Sequence, residues 1–244
     1  GWCAISAVGL FFVPWPSRAS YGYVLVSVFV HQVYVWGLAR LYEGDSLSRV
    51  YVLMRAVPPV LVTVVSGLVL SERVSLGKGL GIALVLAGVF VVSPPKAGFW
   101  RAKSHSALAI TILSIASYTL VDGIGARKSG SPLGYALLLC LGQGAVYAGH
   151  VASKDGRAFT IFIKRNAIAG VLAAAASIGA YAGVLYSASR APLGLVAALR
   201  ESSVLVASFL GAALLGEKVT RFAWLGAVSV FIGAVCMEEP WSLR

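Results

Sequence analysis

Long apolar runs, separated by short polar segments, follow one another along nearly the whole chain. Nine such runs cover residues 1–13, 21–41, 47–70, 77–93, 106–124, 132–150, 164–188, 192–215 and 221–238. Residues 166–189 contain no charged side chain over 24 positions. A helix needs about 20 apolar residues to cross the hydrocarbon core of a bilayer, whereas a barrel strand needs about 9–11 residues of alternating polarity. Because the runs are mostly of helical length and do not alternate, we predict an all-α bundle of about nine transmembrane helices.

The composition excludes a soluble fold. Hydrophobic residues make up 59% of the chain, charged residues 12%, and the mean hydropathy is +0.86. Soluble domains contain about 45–50% apolar and about 25% charged residues. A soluble globule cannot hide so much apolar surface from water, whereas a bilayer covers it. We therefore predict a multi-pass integral membrane protein, with the lipid bilayer as its surrounding partner.

The net charge of +11 does not indicate nucleic-acid binding. A nucleic-acid surface carries its basic residues as a stripe with interleaved aromatic side chains. In this chain they form short clusters between apolar runs, at Lys96/Arg101/Lys103, Arg127/Lys128, Lys154/Arg157 and Lys164/Arg165. Clusters of this kind flank membrane helices, where they hold the connections in water and meet anionic headgroups.

The sequence carries no metal-binding or catalytic motif. Cys3, Cys140 and Cys236 lie inside apolar runs without a Cys-x-x-Cys or Cys/His spacing, so we expect no disulfide framework, no metal site and no cofactor. The His-Glu-x-x-His and Gly-x-Ser-x-Gly motifs are absent as well. These observations disfavour an enzyme, and we assign no catalytic residue.

An internal repeat relates two parts of the chain. An offset of 145 residues aligns residues 53–92 with residues 198–237 and gives eight identities: Arg55/Arg200, Leu70/Leu215, Glu72/Glu217, Val74/Val219, Leu80/Leu225, Gly81/Gly226, Val85/Val230 and Gly88/Gly233. The offset carries the third run onto the eighth, five helices later. An odd number of helices between copies inverts the second copy in the membrane, and inverted repeats are typical of secondary transporters. The shared glycines predict close helix packing, within the chain or at the seam of a homodimer.

Three segments carry more specific motifs. They are residues 44–51 (GDSLSRVY) with Arg55, Pro59 and 70–73 (LSER); residues 117–127 (SYTLVDGIGAR); and residues 190–192 (RAP) with 196–203 (VAALRESS) and 216–217 (GE). They resemble the fourth, the sixth and the eighth-to-ninth helices of EamA-type proteins in the drug/metabolite transporter superfamily. The chain is therefore identified as a member of that family.

The resemblance implies ten helices in two inverted five-helix repeats, both termini in the cytoplasm, and export or exchange of small metabolites. It places the first repeat at residues 1–103, without the first helix of the family, and the second at residues 104–244. Together the repeats form one membrane domain, which we expect in the cell (inner) membrane.

Two arginines lie inside predicted spans at matching positions of the repeat. A charge at the centre of a bilayer costs about 2.5–3.5 kcal/mol, so Arg55 and Arg200 should face protein or water and have partners. One interpretation makes them binding groups for a carboxylate or phosphate; the other makes them structural ion pairs, Arg200 with Asp122 for example. Glu201 adjoins Arg200 and points about 100° away on a helix. It either carries a coupling proton or neutralises an arginine locally.

Other polar side chains inside the spans are candidate substrate ligands. Tyr118 and Asp122 are four residues apart and share a helix face. That face presents a hydroxyl and a carboxylate to a substrate, unless Asp122 is an ion-pair partner of Arg127. His31 either contacts a proton or substrate or is simply hydrogen-bonded in the bundle, and Tyr181 either walls a cavity or packs against alanines.

The sequence thus predicts a secondary transporter of small organic metabolites, in which the repeats alternate access to a central site. Its partners would be a small-molecule substrate and a coupling proton or exchange substrate. The alternative is a flippase or exporter of a lipid-linked anion, with the two arginines holding a phosphate.

Overall fold

A computed structural model describes residues 1–44, 47–71, 75–92, 105–203, 206 and 221–237, and most of them are helical. These residues contain no strand and form nine helices: α1 Trp2–Gly9, α2 Tyr21–Gly44, α3 Leu47–Leu70, α4 Leu76–Val92, α5 His105–Ser129, α6 Pro132–Arg165, α7 Ala167–Ala188, α8 Leu193–Arg200 and α9 Arg221–Met237. A 3-10 turn at Arg18–Ser20 precedes α2. Glu72 and Glu217 of the repeat lie outside the described residues, and so does the side chain of Arg55.

The helices match the predicted apolar runs. Four described segments are long and apolar enough to cross a membrane: Arg18–Leu41, His105–Ser129, Pro132–Arg165 and Ala167–Ala188. Many large apolar side chains on them and on α3 are exposed, including Leu68 at 80% and Leu172 at 66%. A bilayer covers such side chains, and helices satisfy the backbone hydrogen bonds that lipid cannot. The predicted all-α membrane fold is confirmed.

A tight turn joins α5 to α6. Gly130 adopts a positive φ of 66°, a conformation that a side chain disfavours. Ser131 follows as the N-cap of α6, since its hydroxyl accepts the backbone N–H of Gly134 at 3.2 Å, and Pro132 occupies the first turn. Gly130, Ser131 and Pro132 thus allow the chain to reverse its direction between α5 and α6.

The prediction differs from the structure between the sixth and seventh runs. Residues 151–163 were expected to connect two spans, but they are helical and belong to α6. The helix breaks once, at Asp155, whose φ of −154° and ψ of 85° are not helical. The seventh run was placed at 164–188, whereas α7 begins at Ala167.

The chain divides into two compact units. Unit 1 comprises Gly1–Gln32 and Leu120–Ala191, and unit 2 comprises Val33–Thr119 and Pro192–Arg244. Each unit takes residues from both predicted repeats, and the division into repeats at 1–103 and 104–244 stays a prediction.

The core of unit 1 forms around Tyr135 in α6. Its ring is fully buried among Val24 of α2, Ala126 of α5 and Leu185 of α7. A second cluster joins Leu10, which follows α1, to Leu137 of α6 and Ile178 of α7. These contacts bring the helices of unit 1 together near the start of α6.

In unit 2, α4 packs closely against α9, and the glycines of the predicted repeat lie in the contact. A Cβ atom on Gly233 would stand only 2.7 Å from the carbonyl oxygen of Gly81. The hydroxyl of Ser229 donates to the carbonyl of Leu84 at 2.7 Å, and these two residues are 145 positions apart. The same Cβ atom on Gly233 would stand 3.0 Å from Val85 and 3.1 Å from Leu84. The inversion of the second copy stays a prediction.

We predict that Gly233→Ala destabilises the protein, because the new methyl group meets backbone and the two helices must move apart. Overpacking of this kind costs about 1–3 kcal/mol of unfolding free energy. The control is Gly179→Ala in α7, where a Cβ would meet no described atom within 4 Å. Thermal unfolding in detergent should show a lower midpoint for Gly233→Ala and an unchanged or higher midpoint for Gly179→Ala. Equal midpoints would contradict the close α4–α9 contact.

Candidate functional site: a buried carboxylate held by hydroxyl groups

The carboxylate of Asp122 is fully buried in α5. Its Oδ1 accepts a hydrogen bond from the Tyr135 hydroxyl at 2.9 Å, and its Oδ2 accepts one from the Tyr181 hydroxyl. The hydroxyl of Ser27 is a third hydrogen-bond partner. The carboxylate therefore receives hydrogen bonds from three other helices, α2, α6 and α7.

His31 extends this arrangement along α2. Its Nδ1 lies 2.9 Å from the backbone carbonyl oxygen of Ser27 and 3.1 Å from the Ser27 hydroxyl. In the tautomer with the proton on Nδ1, the ring donates to this carbonyl, and the Ser27 hydroxyl is left to donate to Asp122. The imidazole also meets the ring of Tyr181 edge-on, with centroids 6.1 Å apart. We call Ser27, His31, Asp122, Tyr135 and Tyr181 the Asp122 cluster; all five lie in unit 1.

Gly125 makes room for the cluster. It lies one turn beyond Asp122 on α5, and a Cβ atom there would stand 2.5 Å from the hydroxyl oxygen of Tyr135 and 2.6 Å from its ring. Only a glycine lets the buried ring lie across α5 and reach the carboxylate.

The cluster has an inner and an outer part. Ser27, Asp122 and Tyr135 are fully buried, whereas His31 and Tyr181 are partly exposed. The inner hydroxyls fix the carboxylate, and the carboxylate in turn fixes the phenol of Tyr181. The outer part presents the imidazole of His31 and the phenol of Tyr181. The buried part of the cluster fixes their orientation, as in a prearranged hydrogen-bonding surface.

Three of the predicted site residues thus come together: His31, Asp122 and Tyr181. Tyr118 belongs to unit 2, where its ring packs edge-on against Tyr34 with centroids 5.9 Å apart. Arg127, the alternative partner of Asp122, donates to the carbonyl oxygens of Ala188 and Ala191 at 2.9 and 2.8 Å. It thereby caps the end of α7.

Sequence reasoning missed Tyr135 and Ser27. Tyr135 lies 13 residues beyond Asp122 and on the next helix, so its position carries no periodic signal. Ser27 lies four residues before His31 on the same face, but a serine in an apolar helix usually bonds the backbone four residues back.

Arg200 and Glu201 form an ion pair in unit 2. The Nε of Arg200 lies 3.6 Å from Oε1 of Glu201, with the side chains 21% and 3% exposed. α8 ends at Arg200, and Glu201 follows with helical backbone angles. Of the two interpretations of Glu201, the contact favours local neutralisation. The anion-binding role of Arg200 stays a prediction.

Residues 103–238 match the profile of the EamA-like transporter family. The chain belongs to this family. Comparison with curated proteins finds no match. The matched segment of this EamA-like transporter includes Asp122, Tyr135, Tyr181 and the Arg200–Glu201 pair, while Ser27 and His31 precede it. Membership confirms the resemblance read from the motifs, and with the apolar helices it makes the protein a multi-pass membrane transporter.

Within the described part of this EamA-like transporter, no group of three or more His, Cys, Asp or Glu side chains is placed to hold a metal ion. The Asp122 cluster holds a single acidic group and is built from hydroxyl donors.

We predict that Tyr135→Phe destabilises this transporter, because Oδ1 of a fully buried carboxylate loses its donor. Leaving such a group unsatisfied costs about 1–3 kcal/mol. The control is Tyr147→Phe, an exposed tyrosine on the same helix. The unfolding free energy measured in detergent should be lower for Tyr135→Phe and unchanged for Tyr147→Phe. Indistinguishable variants would show that the hydrogen bond contributes nothing.

Proposed function

We propose that the protein is a secondary transporter of small organic metabolites across the cell (inner) membrane, and that the Asp122 cluster is part of its substrate-binding machinery. The observation that carries the proposal is a fully buried carboxylate, inside a span, that receives hydrogen bonds from three neighbouring helices. Ionisable side chains inside membrane proteins are expensive and mark substrate or proton pathways.

A purely structural role explains the cluster less well. Small residues and apolar packing are enough to hold membrane helices together, as α4 and α9 do in this chain. A buried carboxylate adds a desolvation cost that replacement by apolar residues would remove. Its presence is therefore better explained by a chemical task than by stability.

The task we assign is orientation. Asp122 holds the phenol of Tyr181, and Ser27 holds the imidazole of His31. These two partly exposed groups then contact a polar solute. We propose that Arg200, and Arg55 at the matching position of the other repeat, bind a carboxylate or phosphate of a transported solute. Inverted repeats would expose the site to each side in turn, coupled to a proton or an exchange substrate.

The test starts from a ligand screen, because the substrate is not known. The full-length protein in detergent is heated with amino acids, organic acids, nucleosides, sugar phosphates and lipid-linked phosphates, and a binder raises the unfolding temperature. The compound found is then used for uptake into proteoliposomes.

We predict that Asp122→Asn and Tyr181→Phe each reduce uptake at least tenfold, since both remove the group that orients the outer surface. The control is Tyr186→Phe, an exposed tyrosine on the same helix as Tyr181 that keeps its ring against Arg190. The control should transport normally. Normal uptake by both cluster variants would remove the cluster from the site, and a screen in which only lipid-linked phosphates bind would favour the flippase.

A second prediction separates the roles of Arg200. If Arg200 binds substrate, Arg200→Ala abolishes uptake, and the double variant Arg200→Ala/Glu201→Gln recovers stability but not uptake. Stability recovers because the buried carboxylate of Glu201, which loses the nearby guanidinium of Arg200, is replaced by a neutral amide. Recovery of uptake in the double variant would show that Arg200 only neutralises Glu201. Melting temperatures and uptake are measured on the same preparations.

A further inference from the structure

The second part of α6 is a separate helix that connects two spans. With 34 residues, α6 would extend about 51 Å, far beyond the hydrocarbon core. The break at Asp155 leaves residues 132–154 to cross the membrane. Residues 156–165 then start afresh, because Oδ1 of Asp155 accepts the backbone N–H of Ala158 at 2.9 Å and caps the new helix. We call residues 156–165 the connecting helix.

The connecting helix is amphipathic. At 100° per residue, Phe159, Phe162 and Ile163 fall on one face, while Arg157 and Lys164 fall on the opposite face, where Ile161 also falls. The side chain of Phe162 is 65% exposed and that of Ile163 is 49% exposed, whereas Phe159 is partly buried. Phe162 and Ile163 therefore form the exposed part of the apolar face.

The helix is held at the membrane surface by its neighbours in the sequence. The connecting helix starts where the crossing part of α6 ends. Only Asn166 separates it from α7, which returns through the membrane. If the helix continued straight into water, its phenylalanines would be hydrated over a length of about 15 Å. Lying in the plane of the membrane surface is the arrangement that buries them in lipid.

The pattern of buried side chains in α6 and α7 agrees with a location at the membrane surface. The last buried residue of α6 is Gln143, and the first buried residue of α7 is Ala174. Between these two positions no side chain of either helix is buried. The rest of the described chain therefore does not cover the end of α6 or the start of α7.

The charges around the connecting helix indicate which kind of surface it contacts. Lys154, Arg157, Lys164 and Arg165 are all exposed, against a single acidic residue, Asp155, whose carboxylate caps the helix. An apolar face with basic residues opposite is the pattern of helices that bind anionic membrane surfaces.

We propose that the connecting helix lies in the headgroup region of the bilayer, with Phe159, Phe162 and Ile163 among the acyl chains, and binds anionic phospholipids through its basic residues. This interaction is independent of the transported solute. It ties the ends of α6 and α7 to the membrane surface, at the side where they carry no buried residues.

The first experiment measures where the helix lies. Nitroxide labels are attached to single cysteines at positions 157–165 of the full-length protein, in a background with Cys3→Ala, Cys140→Ala and Cys236→Ala, and the protein is placed in nanodiscs. Collision with oxygen should dominate at 159, 162 and 163, and collision with a water-soluble nickel complex at 157 and 164. High nickel collision at every position, or low collision of both kinds throughout, would overturn the proposal.

The second experiment uses native cysteines and tests the lipid. Phosphatidylglycerol is titrated into the protein in neutral detergent, and the melting temperature is followed. Each basic residue near an anionic surface strengthens binding by about fivefold. We expect Arg157→Gln/Lys164→Gln/Arg165→Gln to shift the midpoint at least tenfold to higher lipid.

The control is Arg157→Lys/Lys164→Arg/Arg165→Lys, which exchanges the same three side chains and keeps their charge. It should leave the midpoint within about twofold of the wild type. An equal shift in both variants, or no response of the wild type to phosphatidylglycerol, would overturn the proposal. So would an equal response to inorganic phosphate, which carries the charge without the lipid.

Discussion

A carboxylate that is shielded from water must receive its hydrogen bonds from the protein, and Asp122 receives them from hydroxyl groups on three other helices. In a membrane this constraint is stronger than in a soluble core, because lipid supplies no donor at any position. The positions of α2, α6 and α7 around α5 in unit 1 follow from it. Tyr135 must be buried to reach Oδ1, and Tyr181 must face α5 to reach Oδ2.

Glycines make the close approaches that these contacts need. Gly125 leaves room for the ring of Tyr135 beside Asp122, and Gly81 and Gly233 bring α4 and α9 together in unit 2. Membrane helices gain little from burying apolar side chains against each other, since lipid is equally apolar. Close packing and hydrogen bonds therefore stabilise both units, and the Ser229–Leu84 hydrogen bond adds to the α4–α9 contact.

The helices could be predicted from the sequence because a span requires a long apolar run, and length alone separates a helix from a strand. The motifs around Asp122 and Arg200 indicated the family, and the offset of 145 residues related α4 to α9 as copies without showing that they pack against each other. The partners of Asp122 could not be predicted, because Tyr135 and Tyr181 reach it from other helices and spacing along the chain carries no such information. The helix at residues 156–165 was missed for another reason: Lys154, Asp155, Gly156 and Arg157 are typical of a connection, but Asp155 caps a new helix there.

The most direct test of the account is a double-mutant cycle between Asp122→Asn and Tyr135→Phe, with the unfolding free energy measured in detergent. If the carboxylate is held by the Tyr135 hydroxyl, the effects of the two substitutions are not additive, and the coupling lies in the range of about 0.5–3 kcal/mol found for residues in one hydrogen-bond network. Additive effects, with a coupling near zero, would show that the buried carboxylate does not depend on this hydroxyl and would contradict its role in holding the helices of unit 1 in place.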